Sequence, residues 1–191
     1  MHCWINSGSH QSRMDRGSTR MSNEGEMREE LQWEDGRVTQ PGEETGIRIV
    51  PITDDTQAHQ PLLSSAEALH RTLRPNLPPD YQACMHRMFA EGAEMAILVV
   101  DCAIRSLAVY RCHHTTFHGL RFYIDDLVTD ENARGRGYGS ILLRWCEERA
   151  RERHCNSFDL ESGAQRSRAH QFYFREGLTI LAFSFSKTLK P

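Results

Sequence analysis

The run Arg134-Gly135-Arg136-Gly137-Tyr138-Gly139-Ser140 constrains this chain more than any other feature. Glycine at every second position lets the backbone approach a ligand closely and turn several N–H groups toward one point. Behind it comes an amphipathic helix over Tyr138 to Arg153. Ile141, Leu142, Trp145, Cys146 and Ala150 form its apolar stripe, and Arg144, Glu147, Glu148, Arg151 and Glu152 its wet face. Ahead of it lies a strand-like run, Leu120 to Thr129. A glycine loop between a strand and a helix start collects unpaired N–H donors at the positive end of the helix dipole, which suits a pyrophosphate. Arg134 and Arg136 add charge-assisted contacts.

Two nucleotide-binding patterns compete for such a loop. The dinucleotide fingerprint G-x-G-x-x-G sits directly on a strand end, with an acidic residue about twenty positions further on. Asp159 and Glu161 lie at that distance, but the polar link Asp130-Glu131-Asn132-Ala133 separates strand from loop, and the glycines are evenly spaced. The chain also has too few strand-helix-strand units for a doubly wound sheet, and no Lys-Ser/Thr pair of a P-loop follows.

The rest of the 191 residues supports one domain after a tail. Residues 1–45 are rich in Ser, Gly, Glu, Arg, Gln and Asn and hold no sustained apolar period, so they are expected to be disordered or loosely ordered. The domain is expected over 46–191. It opens with a strand at Gly46 to Ile52, then helices at Gln60 to Leu73 and Tyr81 to Glu91 around a Pro-rich link. Strands are expected over Met95–Cys102, Ile104–Cys112 and Leu120–Thr129, with His113–Gly119 as the turn between the last two. After the long helix come a strand at Ser157–Glu161, a helix at Arg168–Glu176 closed by Gly177, and one or two strands over Leu178–Leu189.

A net charge of -3 speaks against a nucleic-acid partner. The six cysteines show no C-x-x-C spacing and read as free thiols in a reducing compartment. No stretch is apolar and long enough for a signal peptide or a bilayer span, so the expectation is a cytoplasmic protein without a membrane partner. Cys112 with His113, His114 and His118 does not make a metal site; the histidines read as exposed turn residues, and no metal is expected.

The loop residues Arg134 to Gly139 match the pattern Gln/Arg-x-x-Gly-x-Gly/Ala of the GNAT superfamily of N-acetyltransferases, and the chain resembles that family over Ile47 to Leu189. Tyr123 to Thr129 is similar to the family's donor-binding strand. Ala169 to Leu178 is similar to its A-x-x-x-Y-x-x-x-G-F segment. Two positions depart: Arg166 stands where many members have Asn, and Leu178 replaces the usual Phe.

The resemblance implies an α/β fold with a central mixed, mostly antiparallel sheet, helices on both faces, and acetyl-CoA held where the sheet splits at the donor strand. It implies that a bulge exposes the backbone of Leu127, Val128 and Thr129 to the pantetheine, and that residues 134–140 hold the pyrophosphate. It gives Tyr173 the part of general acid. Glu161 and Asp125 are the two candidates for the base, since each aligns with a carboxylate of some members. Strict alternation would put Tyr123, Asp125 and Leu127 on one face and Asp126 on the other. The expected reaction is acetyl transfer to an amine by direct attack in a ternary complex, with a small molecule preferred over a peptide as acceptor, because the end segment looks like bacterial small-amine members. A non-catalytic acetyl-CoA-sensing module and a protein N-terminal or lysine acetyltransferase stay open as alternatives, as does a homodimer.

Overall fold

The computed structural model describes residues 32–34, 37–39, 46–53 and 58–189. Among these residues seven strands form one sheet in chain order: β1 (Gln32–Glu34), β2 (Arg37–Thr39), β3 (Ile47–Ile52), β4 (Ala93–Val100), β5 (Ala103–Thr115), β6 (Gly119–Thr129) and β7 (Ser157–Leu160). Every neighbouring pair is antiparallel except β6 and β7, which run parallel. The sheet is therefore mixed and mostly antiparallel, as the resemblance implied. β1 and β2 fall inside the segment 1–45, and β2 joins the sheet through Arg37 opposite Arg48; the rest of that segment lies outside the described residues.

Among the described residues four helices pack on the two faces: α1 (Gln60–Leu73), α2 (Tyr81–Ala90), α3 (Tyr138–Glu152) and α4 (Ser167–Arg175). Pro61 starts α1, where its missing N–H costs nothing. Asp80 caps α2 by accepting from the Ala83 N–H at 2.9 Å. β4 shows why its sequence is almost unbroken in apolar residues. Met95, Ile97 and Val99 pack with Leu63 and Ala66 of α1 and Met85 of α2, while Ala96, Leu98 and Val100 share the other core with Leu142, Trp145 and Cys146 of α3. A strand buried on both faces loses the polar half of its alternation.

Three expectations are corrected. β5 runs on to Thr115 and β6 begins at Gly119, so the hairpin turn is shorter than expected, and His113 and His114 belong to the ladder, opposite Arg121 and Leu120. Thirteen residues of continuous strand are possible there because the ladder partner, not local polarity, decides where pairing stops. No strand forms over 178–189, where Ile180, Leu181, Phe183, Phe185 and Leu189 are exposed. Alternating apolar residues make a strand only when an edge pairs with them.

The third correction concerns β6. Val109 lies opposite Asp126 and Tyr110 opposite Ile124, which leaves Asp125 as the extra residue of a bulge. The bulge resets the alternation. Asp125 bonds Arg111, which lies between Tyr110 and Cys112, two residues that pack on the α3 side. Asp125 therefore points away from α3, and Asp126, bonded to His70 of α1, points the same way. Leu127 turns into the α3 core, so it does not share a face with Asp125.

Candidate active site

β6 and β7 stay paired from Arg121–Ser157 to Ile124–Leu160; beyond that β7 ends and β6 continues to Thr129. The wedge so opened leads into a cavity of about 890 Å³. Leu127, Val128 and Thr129 line it from β6, Arg134 and Gly135 from the loop, Gly137 to Ser140 from the start of α3, and Arg166 with Tyr173 from the α4 side. Nine of the ten residues expected at the donor loop and strand thus meet Tyr173 in one place; Arg136 is not in the lining.

The glycines serve this cavity in different ways. Gly135 and Gly137 have φ of +79° and +81°, a conformation that L side chains rarely adopt. Gly137 immediately precedes α3 and its carbonyl accepts from the Ile141 N–H, but no side chain caps the helix, whose first residues, Tyr138, Gly139 and Ser140, line the cavity. Gly139 has ordinary φ, yet a Cβ on it would stand 3.2 Å from Thr129 Oγ1 and 3.5 Å from the Phe172 ring. Its small size lets α3 lie against both β6 and α4. Ser140 donates its hydroxyl to Glu176 Oε1 at 2.5 Å, tying the start of α3 to the end of α4.

Tyr173 is half-buried on α4, beside Phe172 with ring centroids 5.3 Å apart. Burial pushes its phenol up from the usual value, with the Arg166 charge opposing, so the hydroxyl keeps its proton at neutral pH. The two candidate carboxylates do not line the cavity. Asp125 is held by the Arg111 guanidinium at 2.8 Å. Glu161, exposed just past β7, lies beside Tyr123; burial raises that phenol's pKa, and the neighbouring Glu161 charge adds to the rise.

Sequence reasoning passed over a buried network next to the bulge. Asp126 Oδ2 bonds His70 Nε2 at 2.9 Å, and Oδ1 accepts from Arg74 Nε at 2.5 Å. His70 Nδ1 meets the Tyr81 hydroxyl at 3.1 Å, and Arg74 also donates to the Asp125 carbonyl at 3.1 Å. Burial would raise the Asp126 carboxyl, but the hydrogen bonds and charges of His70 and Arg74 outweigh it and hold the pKa below the usual value. Burial also lifts the Tyr81 phenol above its ordinary range. One signal was available: His70 follows Leu63 and Ala66 on the buried stripe of α1, an unusual place for a polar residue without a partner.

Among the described residues no group of three or more His, Cys, Asp or Glu side chains is placed to hold a metal ion, and no helix is long and apolar enough to cross a membrane.

Residues 67–177 match the family described as Acetyltransferase (GNAT) family. An uncharacterized N-acetyltransferase, YhdJ of Bacillus subtilis, is 34% identical over 107 residues, which cover 56% of this chain and 73% of that protein. The aminoalkylphosphonate N-acetyltransferase of Salmonella typhimurium is 38% identical over 80 residues, 42% of this chain and 50% of that protein, so this match spans half of the relative's length. In structure, aminoglycoside N-acetyltransferase AAC(6')-Iy in complex with CoA superposes with a TM-score of 0.65 at 13% identity, over 78% of this chain and 99% of the other. A transcriptional regulator from Bacillus halodurans C-125 gives 0.60 at 23% identity, over 75% and 99%. At these identities the structural likeness concerns the fold.

Proposed function

Because this chain belongs to the acetyltransferase (GNAT) family, an acetyl-CoA-dependent acyltransferase family, we propose that it transfers acetyl to a small-molecule amine by direct attack in a ternary complex. The observation that carries this reading is the convergence of Leu127 to Thr129, the uncapped start of α3 and Tyr173 on one cavity at the split of the sheet. The match to an N-acetyltransferase of aminoalkylphosphonates supports a small acceptor over a protein. The catalytic domain is assigned to residues 46–191.

In this reading the N–H groups at Gly135, Gly137 and the first turn of α3 hold the donor's pyrophosphate, with Arg134 as the nearby cation and Arg136 as an outer one. Backbone groups of Leu127, Val128 and Thr129 on the side of β6 that β7 leaves open hold its pantetheine arm. The acceptor nitrogen attacks the thioester carbonyl carbon, the carbon–sulfur bond breaks, and Tyr173 gives its hydroxyl proton to the departing sulfur. The nitrogen must lose a proton. Glu161 is the preferred acceptor for it, since Asp125 is already engaged by the Arg111 guanidinium.

The test is a screen of amines for thiol release from acetyl-CoA, followed by variants on the best acceptor. Tyr173→Phe is expected to lower the rate by roughly 10²-fold or more, with donor affinity by calorimetry unchanged. Glu161→Gln is expected to remove the acid-side limb of the pH–rate profile, because a base works only when deprotonated, while Asp125→Asn leaves that limb in place. Wild-type turnover in Tyr173→Phe would return this tyrosine to a packing role, and a lost limb in Asp125→Asn alone would exchange the two carboxylates.

A further inference from the structure

Away from the cavity, two thiols meet at the far end of α3. Cys155 donates its S–H toward Cys112, with the two Sγ atoms 3.9 Å apart, and both residues are partly exposed. Neither has a part in the reaction proposed above. We infer that Cys112 and Cys155 form a dithiol site that is oxidised by small disulfides to an intramolecular disulfide.

The local backbone holds the pair in place. α3 ends with the His154 N–H bonded to the Arg151 carbonyl and the Cys155 N–H to the Ala150 carbonyl, both at 2.9 Å, a double closure that requires the residue after the helix to turn left-handed. His154 does so with φ of +56°, a position where glycine is the usual residue. On the other side the Asn156 N–H bonds the Leu120 carbonyl at 2.7 Å, and Asn156 Oδ1 accepts from the Leu120 N–H at 3.0 Å. Cys155 is thus clamped between a helix cap and the start of β6. Cys112 is fixed in the β5 ladder opposite Phe122.

The electrostatics divide the two sulfurs. Arg153 is anchored by Glu94 through both guanidinium nitrogens and lies 3.5 Å from Cys112 Sγ, so a cation stands beside that sulfur. Burial, and then the adjacent Cys112, push the Cys155 thiol up to about 11. Cys112 is therefore the attacking sulfur and Cys155 the resolving one. The Cys112 thiolate attacks one sulfur of a disulfide RSSR, forming Cys112–S–S–R and releasing RS⁻. The Cys155 thiolate then attacks the Cys112 sulfur, forms the internal bond and releases the second RS⁻. Two protein thiols lose two electrons and two protons, and RSSR becomes two RSH. The loop so closed runs from 112 to 155 and contains β6, the glycine loop and α3, the scaffold of the donor cavity.

The test uses the full chain with graded glutathione disulfide, acid quenching, alkylation and peptide mass spectrometry. A peptide pair joined through Cys112 and Cys155, lighter by two hydrogens, is expected before any linkage of the exposed Cys102 to another protein cysteine. The apparent Tm is expected to rise by on the order of 10 °C, as closing a long loop predicts for a chain of this size. In Cys155→Ser the glutathione adduct on Cys112 should persist, because nothing resolves it. The proposal is overturned if Cys112 and Cys155 stay reduced while Cys102 is modified, or if wild-type protein accumulates stable glutathione adducts on both sulfurs.

Discussion

Replacing Asp126 by Ala is expected to destabilise the fold by about 3 kcal/mol, although the residue is not in the proposed reaction. The carboxylate side chain is 9% exposed and serves His70, which is fully buried, and Arg74. Removing it leaves the His70 ring nitrogen without an acceptor away from water, which costs about 1–3 kcal/mol. Breaking a buried charged pair from one side costs about 3–5 kcal/mol. The lower end applies, because Arg74 is 51% exposed and can turn its guanidinium to solvent. For a chain of this length about 3 kcal/mol corresponds to a fall in Tm of about 6–12 °C. The pH dependence gives an independent check. The folded pKa of Asp126 is lowered, so its stabilisation is fully present above the unfolded value of about 3.9 and disappears as pH falls through the folded value. Urea unfolding followed by tryptophan fluorescence should show the full gap between wild type and Asp126→Ala at pH 7 and pH 5, narrowing below about pH 3.9. A variant within about 0.5 kcal/mol of wild type at pH 7 would refute the reasoning, since that is the range of ordinary surface substitutions.

Two further substitutions probe the loop, and a truncation probes the domain boundary. Gly137→Val should abolish acetyl-CoA binding in calorimetry, because φ of +81° is hostile to a β-branched residue at the point where α3 begins; unchanged affinity would show that the loop is not the donor site. Gly139→Val acts by crowding Thr129 and Phe172 rather than by backbone strain, so it should weaken both donor binding and the seating of α4, seen as faster proteolysis within residues 164–177; loss of neither would mean that the helices have room to spare. A chain starting at residue 44 should stay folded and keep its turnover, since among the described residues the ladder between β2 and β3 is the single pair Arg37–Arg48; insoluble or inactive protein would place the preceding residues in the domain.

Local pattern was enough wherever one element decides its own fate. The bounds of α1 follow from Pro61 and Pro75 around an apolar stripe, and the glycine loop with the helix behind it is a contiguous signal. What could not be read locally depends on how two distant strands are paired. The alternation argument assumed that β6 has no extra residue, and the sequence Asp125-Asp126 looks the same with or without a bulge. Only its register against Val109 and Tyr110 on β5 shows that both aspartates point away from α3. The segment 178–189 failed for a related reason: its alternation is genuine, but pairing needs an edge that periodicity does not supply.

The same non-local pairing explains why His70 belongs on the buried stripe of α1. A bulge leaves backbone and side chains of the bulged strand without their regular ladder partners. Here the Asp125 carbonyl and the Asp126 carboxylate are taken up by Arg74 and His70, both from the C-terminal end of α1. Tyr81, the first residue of α2, completes the chain through His70 Nδ1. One carboxylate therefore fixes the helix pair on one face of the sheet to the strand whose next three residues line the cavity. Strict alternation sets Asp126 apart from the proposed chemistry. Its actual position, one residue before Leu127, makes it the joint between the cavity wall and the opposite face.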